Sequence, residues 1–264
     1  MLSRVGDSLY WMSRYLERAE NTVRQLDVTM GLMLDTSDTS LETRWQRMMA
    51  SLGKISDMEW TGDLESMARK LVFDSLNPVS VTFCVNGARE NARQVREEIS
   101  SEQWQRLNRL YHQMHSPHAQ VQFRSNINDA LASVIDGIHL FKGVSDTTML
   151  HGQGWQFIRL GRYLERAYAT ATLLEVYQPE LFEEQHHDDS GYQYLELVGL
   201  LRCCTSFEAY CQVYTADISH DRILEFLLLN RDFPHAIREQ SMRIHELIYR
   251  NYVQYSIQSA LATQ

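Results

Sequence analysis

A chain of 264 residues with four prolines and twelve glycines is long enough to bury a large core and poor in the residues that break helices. Its formal net charge of −9 comes without any Lys/Arg-rich run, which argues against a nucleic-acid partner, because a phosphate backbone is held by a dense positive face. No stretch approaches the roughly eighteen uncharged apolar residues of a membrane span, and the first residues lack the apolar segment and cleavage site of a secretory signal, so a soluble cytoplasmic protein with no membrane partner is expected.

In chain order, the first predicted helix runs from about Ser3 to about Leu34. It carries one apolar seam at alternating spacings of four and three: Val5, Leu9, Met12, Leu16, Ala19, Val23, Leu26, Met30 and Met33. The polar tract 35–40 ends it. A second helix holds Trp45, Met48, Met49 and Leu52 up to Gly53, and Gly62-Asp63 caps a third through Met67, Leu71 and Val72. Pro78 is placed in the first turn of the fourth, which buries Val81, Val85, Ala88, Ala92, Val95 and Ile99 and has Asn86-Gly87 as a predicted kink. Along it Arg89, Arg93 and Arg96 share one side, with Glu90 and Asn91 beside them. A helix from Ser101 to the 114–118 turn follows, then a long one over about 123–150 with Ile127, Leu131, Val134, Ile138 and Phe141 inward. The polar segment 183–190, with His186 and His187 among acids, reads as a surface loop and not a metal site, since neighbouring loop ligands seldom converge on one ion. One long helix carrying Leu195, Val198, Leu201 and Phe207 toward Val213, a segment over 223–229 and a last helix from Pro234 to about Leu261 complete an all-α pattern.

The sequence Arg-Tyr-Leu-Glu-Arg-Ala occurs at 14–19 and again at 162–167, 148 positions later, and in the same frame Thr22 matches Thr170 and Leu26 matches Leu174. Such an identity predicts an internal duplication. The chain then reads as a single domain over 1–264, a long-helix bundle built from two diverged half-repeats, about 1–150 and 151–264, that share one core. The period is too long for a solenoid unit. In the second half the predicted seam is Phe157, Leu160, Leu164, Ala167, Ala171 and Leu174.

Arg14 and Arg18, like Arg162 and Arg166, lie opposite the seam one turn apart, with Glu17 and Glu165 on its shoulder. Trp11, Val28, Leu32, Leu173 and Val176 are interleaved with them, so each helix is expected to be covered on two sides. Desolvated charge must be paired or must hold a charged ligand. Two readings follow. Either the glutamates neutralise the arginines and fix how the halves dock, or Arg14, Arg18, Arg162 and Arg166 clamp a carboxylate or phosphate, with Arg89, Asn21, Glu90 and Asn91 as further ligand-binding candidates. Glu17 and Glu165 are the candidate acid/base residues of a stand-alone enzyme, although neighbouring arginines lower a carboxylate's pKa, the wrong direction for a base at neutral pH. The sequence offers no Gly-rich phosphate loop and no Ser or Cys nucleophile beside a His, so no cofactor is expected. Cys84, Cys203, Cys204 and Cys211 read as reduced, mostly buried thiols.

Four motifs in order carry a resemblance: Trp-Met-x-Arg-Tyr-x-Glu-Arg-Ala-Glu at 11–20, Ala-Arg-Glu-Asn-Ala-Arg at 88–93, Gly-Arg-Tyr-Leu-Glu-Arg-Ala at 161–167, and Phe-Leu-Leu-Leu before Phe-Pro at 226–234. Together they resemble the bacterial alpha-E domain family. The resemblance implies an all-α protein commonly encoded beside, or fused to, a circularly permuted ATP-grasp protein and often near a transglutaminase-like protein. It implies a role in making or tagging peptides through ATP-dependent amide ligation, with an amino acid or peptide as substrate. Three functions remain open on these grounds: an accessory binding partner of an ATP-grasp ligase, an independent enzyme using a buried Glu, and a scaffold or dimerisation module. Monomer and homo-oligomer are both compatible. One departure stands out, since Asn21 on the charged face becomes Ala169 in the second half.

Overall fold

The computed structural model describes residues 2–33, 41–53, 58–178, 190–215 and 217–262, which form twelve α-helices with no strand among the described residues. They are α1 (Ser3–Leu32), α2 (Leu41–Ser51), α3 (Leu64–Phe73), α4 (Val81–Gln94), α5 (Ser101–His115), α6 (Pro117–Ser125), α7 (Ile127–Thr148), α8 (Gln153–Val176), α9 (Ser190–Cys203), α10 (Phe207–Tyr214), α11 (His220–Leu229) and α12 (Ile237–Ala262). The predicted all-α class holds. The 35–40 tract and the polar segment with His186 and His187 lie outside the described residues. Among those described, no helix is long and apolar enough to cross a membrane.

Local chemistry sets the boundaries and corrects several predicted ones. The Asp63 side chain accepts from the Ser66 N–H to start α3, and Ser100 with Gln103 forms a capping box at the start of α5. Asn126 splits the stretch predicted as one helix over 123–150, because its side chain caps α7 by accepting from the Asp129 N–H at 3.1 Å. Pro78 lies before α4 and not in its first turn. Ser80 takes the cap position instead, its hydroxyl accepting from the Phe83 N–H at 3.1 Å. Thr205, in left-handed backbone at φ 52°, separates α9 from α10 where one helix was expected.

Helix α1 is the spine. It packs against α2, α3, α4, α7, α8 and α9, and its predicted seam from Leu9 to Leu26 is fully buried. Each such large apolar side chain contributes about 2 kcal/mol of burial. Helix α4 runs antiparallel to α1, with Ser8 near Gln94, the Tyr15 ring against Gly87 and Thr22 near Val79. Gly87 produces no kink: α4 continues through it, and the missing side chain makes room for the Tyr15 ring, which a Cβ would meet at 2.9 Å. Helix α8 advances parallel to α1, from Phe157 beside Gly6 to Arg166 beside Glu17.

Buried apolar residues form two clusters. The larger joins α1 to α7 and the start of α8 through Ile158; the smaller joins the end of α8, through Leu173 and Leu174, to α9, α10 and α11. Helices α1 and α8 run through both, since Val28 of α1 packs on the second.

Candidate functional site

The face that α8 turns inward differs from the predicted seam. Leu164 is 36% exposed and Ala171 is exposed, whereas Ile158, Gly161, Arg162, Tyr163, Glu165 and Thr170 are buried. The reason lies at the contact. A Cβ on Gly161 would overlap the Tyr10 carbonyl oxygen and crowd Ser13, so the two backbones approach more closely there than a leucine seam would permit. Close backbones bring the charged sides of both helices together.

There the ion pairs cross from one helix to the other. Glu165 accepts from Arg14 Nε at 2.5 Å and Arg18 Nε at 2.7 Å, while Arg166 Nε donates to Glu17 at 2.6 Å. Under the 148-residue shift, Arg18–Glu165 and Arg166–Glu17 are the same pair with the helices exchanged. One further contact obeys the shift, and a second keeps it only for its donor, the acceptors Val79 and His235 standing 156 positions apart. Gly6 faces the Phe157 ring and Gly154 faces Leu9. Thr22 Oγ1 donates to Val79 O at 2.9 Å in the turn before α4, and Thr170 Oγ1 donates to His235 O at 3.1 Å in the turn before α12.

Helix α7 adds groups that the sequence pattern did not single out. Lys142 Nζ bridges Glu17 and Glu20, and Glu20 also receives Arg24 at 2.8 Å and His139 at 3.0 Å. Burial alone would raise the Glu17 carboxyl, but Arg166 and Lys142 outweigh it and hold the group at about 2. Glu20 is likewise driven down, burial being outweighed by Lys142, His139 and Arg24. Arg18 loses by burial but gains more from Glu165, so its pKa rises.

The correspondence fails at one arginine. Arg14 grips Glu165, but its counterpart Arg162 does not grip Glu17, where Lys142 stands instead. The nearest carboxylate to Arg162 is Asp146 at 3.7 Å, which also receives Arg159 at 3.2 Å and Trp155 Nε1 at 3.1 Å. The Arg162 side chain is only 8% exposed. Its Nε, like that of Arg159, is buried without a partner among the described residues. Burial lowers its pKa, and Glu17 and Asp146 do not make up the difference.

The remaining predicted residues divide. Asn21 accepts from Gln25 Nε2 and lines a narrow cleft with Glu17, Arg166, Cys204 and His235; the space open to a water centre is about 20 Å³, enough for roughly one water. Arg89 lies on the far side of α4, donating to Asn108 at 2.7 Å with its guanidinium 4.3 Å over the Tyr111 ring. Glu90 pairs with Arg93 on the surface, and Asn91 donates to Gly87 O. These three are not brought to the Glu17 and Glu165 pairs.

Around the cleft, burial pushes the Cys204 thiol up to about 12 and raises Cys203, so both stay protonated and unreactive at neutral pH. His235 is half-buried beside the cleft, and burial together with Arg166 lowers it to about 3. All four cysteines are free, as the composition suggested. A second buried ionic group also escaped the sequence reading: Glu196 of α9 accepts from Arg44 Nε at 3.1 Å and Arg47 Nη1 at 2.6 Å, both on α2. Isolated Arg and Glu residues without a repeated motif gave no signal for it.

The chain is 26% identical over 261 residues to uncharacterized proteins of Mycobacterium tuberculosis and Mycobacterium bovis. The match covers 91% of this chain but 29% of each relative, so it corresponds to under a third of their length. No solved structure matches. A family model described as a predicted alpha-helical domain with a conserved ER motif matches residues 1–253, and Glu-Arg stands here at 17–18 and 165–166; the chain belongs to the Alpha-E family.

Proposed function

We propose that the chain is a helical accessory module serving an ATP-grasp amide ligase in peptide synthesis or tagging, and that it is not itself the catalyst. The observation that carries this reading is the reciprocal pairing between α1 and α8. Arg14, Arg18 and Arg166 are each committed to a glutamate of the opposite helix, and those glutamates are correspondingly committed to arginines. A Glu17 carboxyl held at about 2 is a poor proton acceptor at neutral pH, which weighs against independent acid/base catalysis. The mycobacterial relatives are much longer than the matched region, which suits a module that works in company with a further domain.

The exchange of contacts under one shift supports reading the chain as a single unit of two diverged halves, about 1–150 and 151–264. Buried ion pairs of this kind are weak sources of stability but good registry devices. The network then fixes the angle at which one half presents itself to the other, and with it the shape of the surface offered to the ligase. A role in ATP-dependent ligation places the module in the cytoplasm.

The test is co-purification of the native chain with the ATP-grasp protein encoded beside it, followed by ATP hydrolysis with and without the chain. Association together with stimulated turnover is the expected result. Neither association nor stimulation would overturn the reading.

A further inference from the structure

We propose that Arg162 and Arg159, at the junction of α7 and α8, form a site for a single oxyanion, the carboxylate or phosphate group of a small ligand. The inference rests on the accessory-module reading only for what such a ligand would be, namely a substrate or product group of the ligase; the site itself is argued from charge.

Two guanidinium groups share one carboxylate here. Asp146 receives Arg159 at 3.2 Å and stands 3.7 Å from Arg162, beyond direct hydrogen-bond distance. The next carboxylate, Glu17, is already held by Arg166 and Lys142. Arg162 is therefore balanced only at longer range and through shared carboxylates, although its side chain is 8% exposed. A buried cation without a close counterion is costly, and proteins retain such a group where an anion completes it. The Nε atoms of both arginines are also buried and unpartnered among the described residues, so the unused donors lie where the countercharge is distant. The Glu165 end differs in contact and not in charge count: two arginines share that carboxylate as well, but both Arg14, at the position corresponding to Arg162, and Arg18 donate to it directly, at 2.5 and 2.7 Å. Lys142 is what frees Arg162 by taking the second side of Glu17.

Access runs along Asp146 and Arg159, whose side chains are 37% and 24% exposed. An entering oxyanion would take the planar, two-pronged hydrogen bonding that guanidinium offers and leave Asp146 to Trp155 Nε1, which it already accepts from at 3.1 Å.

The experiment follows thermal unfolding of the full chain in chloride, phosphate and glutamate at matched ionic strength. Inorganic phosphate or glutamate is expected to raise the midpoint by about 2 °C or more over chloride, as selective binding to the folded state requires. A shift with phosphate alone assigns a phosphate-bearing ligand; a shift with glutamate alone assigns a carboxylate. The Arg162→Met variant is expected to unfold no earlier than the parent in chloride, because it removes a buried charge without a close counterion, and to lose the anion-dependent shift. Arg159→Gln, on a more exposed side chain, is expected to reduce the shift. Equal midpoints for the parent in all three salts would overturn the site, as would an undiminished shift in Arg162→Met. Loss of the site would leave ligase association untouched, and a failed co-purification would leave the anion shift untouched, so the two readings fail separately.

Discussion

The two ends of the charged interface between α1 and α8 start from the same six residues and arrive at different states. At Glu165, two arginines from α1 meet one carboxylate, and no further cation pairs with it among the described residues. At Glu17, one arginine of α8 and a lysine of α7 share the carboxylate, and the second arginine of α8 is displaced toward Asp146. The difference teaches that the paired hexapeptide supplies a symmetric lock, and that a single additional cation from a third helix is enough to break the symmetry on one side. What the lock keeps equal is architecture. What is unequal is the reach of the second guanidinium, Arg14 donating directly to Glu165 and Arg162 standing 3.7 Å from Asp146.

The most damaging way to break the comparison is to push the helices apart at their closest point. Gly161→Ala places a methyl on the Tyr10 carbonyl oxygen, and since backbone cannot yield as a side-chain tip does, a loss upward of about 3 kcal/mol is expected in urea unfolding. Gly154→Ala meets side-chain methyls, of Leu9 at 3.3 Å and Met149 at 3.6 Å, and is expected to cost far less. Equal losses would mean that the helices are not held at Gly161.

Removing the carboxylates one at a time sharpens it. Glu165→Gln strands Arg14 and Arg18 together and is expected to cost about 2–3 kcal/mol. Glu17→Gln is expected to cost about 1–2 kcal/mol, because Lys142 retains Glu20 and Arg166 retains the Pro234 carbonyl. A reversed order in chemical denaturation would show that the Glu17 side, not the Glu165 side, carries the lock.

How much of this was legible in the sequence follows the same division. The seam of α1 could be read because Leu9 to Leu26 obey one local spacing, and all of it is buried. The seam assigned to α8 failed at Leu164 and Ala171, because which side of α8 is buried depends on a close approach at Gly161 and on countercharges from the other end of the chain. No local period encodes those. Cross-pairing of Glu and Arg was open to a reader of the repeated hexapeptide, which carries both signs. Lys142 and Asp146 sit in α7 without any repeat to mark them, and their part emerges only when three helices meet.

Acid separates the turns before α4 and α12 by a different residue. In the turn before α12 the acceptor of the Thr170 hydroxyl is His235, where the turn before α4 has Val79. His235 is lowered to about 3 from its ordinary 6.5 by burial and by Arg166, with Lys142 adding to it and Glu17 and Glu20 opposing. The unfolded chain therefore takes up the proton first as pH falls. Stability is full above pH 6.5 and is lost toward pH 3, at up to about 1.4 kcal/mol per pH unit for this one group. Glu17, lowered from 4.5 to about 2, adds its own loss only below pH 4.5. His235→Gln is expected to flatten the profile between pH 6.5 and 4.5 and leave the steeper fall below it; an unchanged slope in that window would show that His235 titrates normally in the fold.

The smallest expected difference lies in the two threonine anchors. Thr22→Val leaves the buried Val79 carbonyl without its hydroxyl and is expected to cost about 1 kcal/mol. Thr170→Val removes the equivalent bond to His235 O, but that bond is only part-buried, so water replaces the lost donor and about half the cost is expected. The pair also tests whether the two turns are coupled. If the two turns are anchored independently, the double variant loses the sum of the single losses, since the anchors share no partner and sit on different helices. A coupling energy well above about 0.5 kcal/mol would mean that α4 and α12 communicate through the ion-pair lock between α1 and α8, and the lock would then be a lever between those helices as well as a register for α1 and α8.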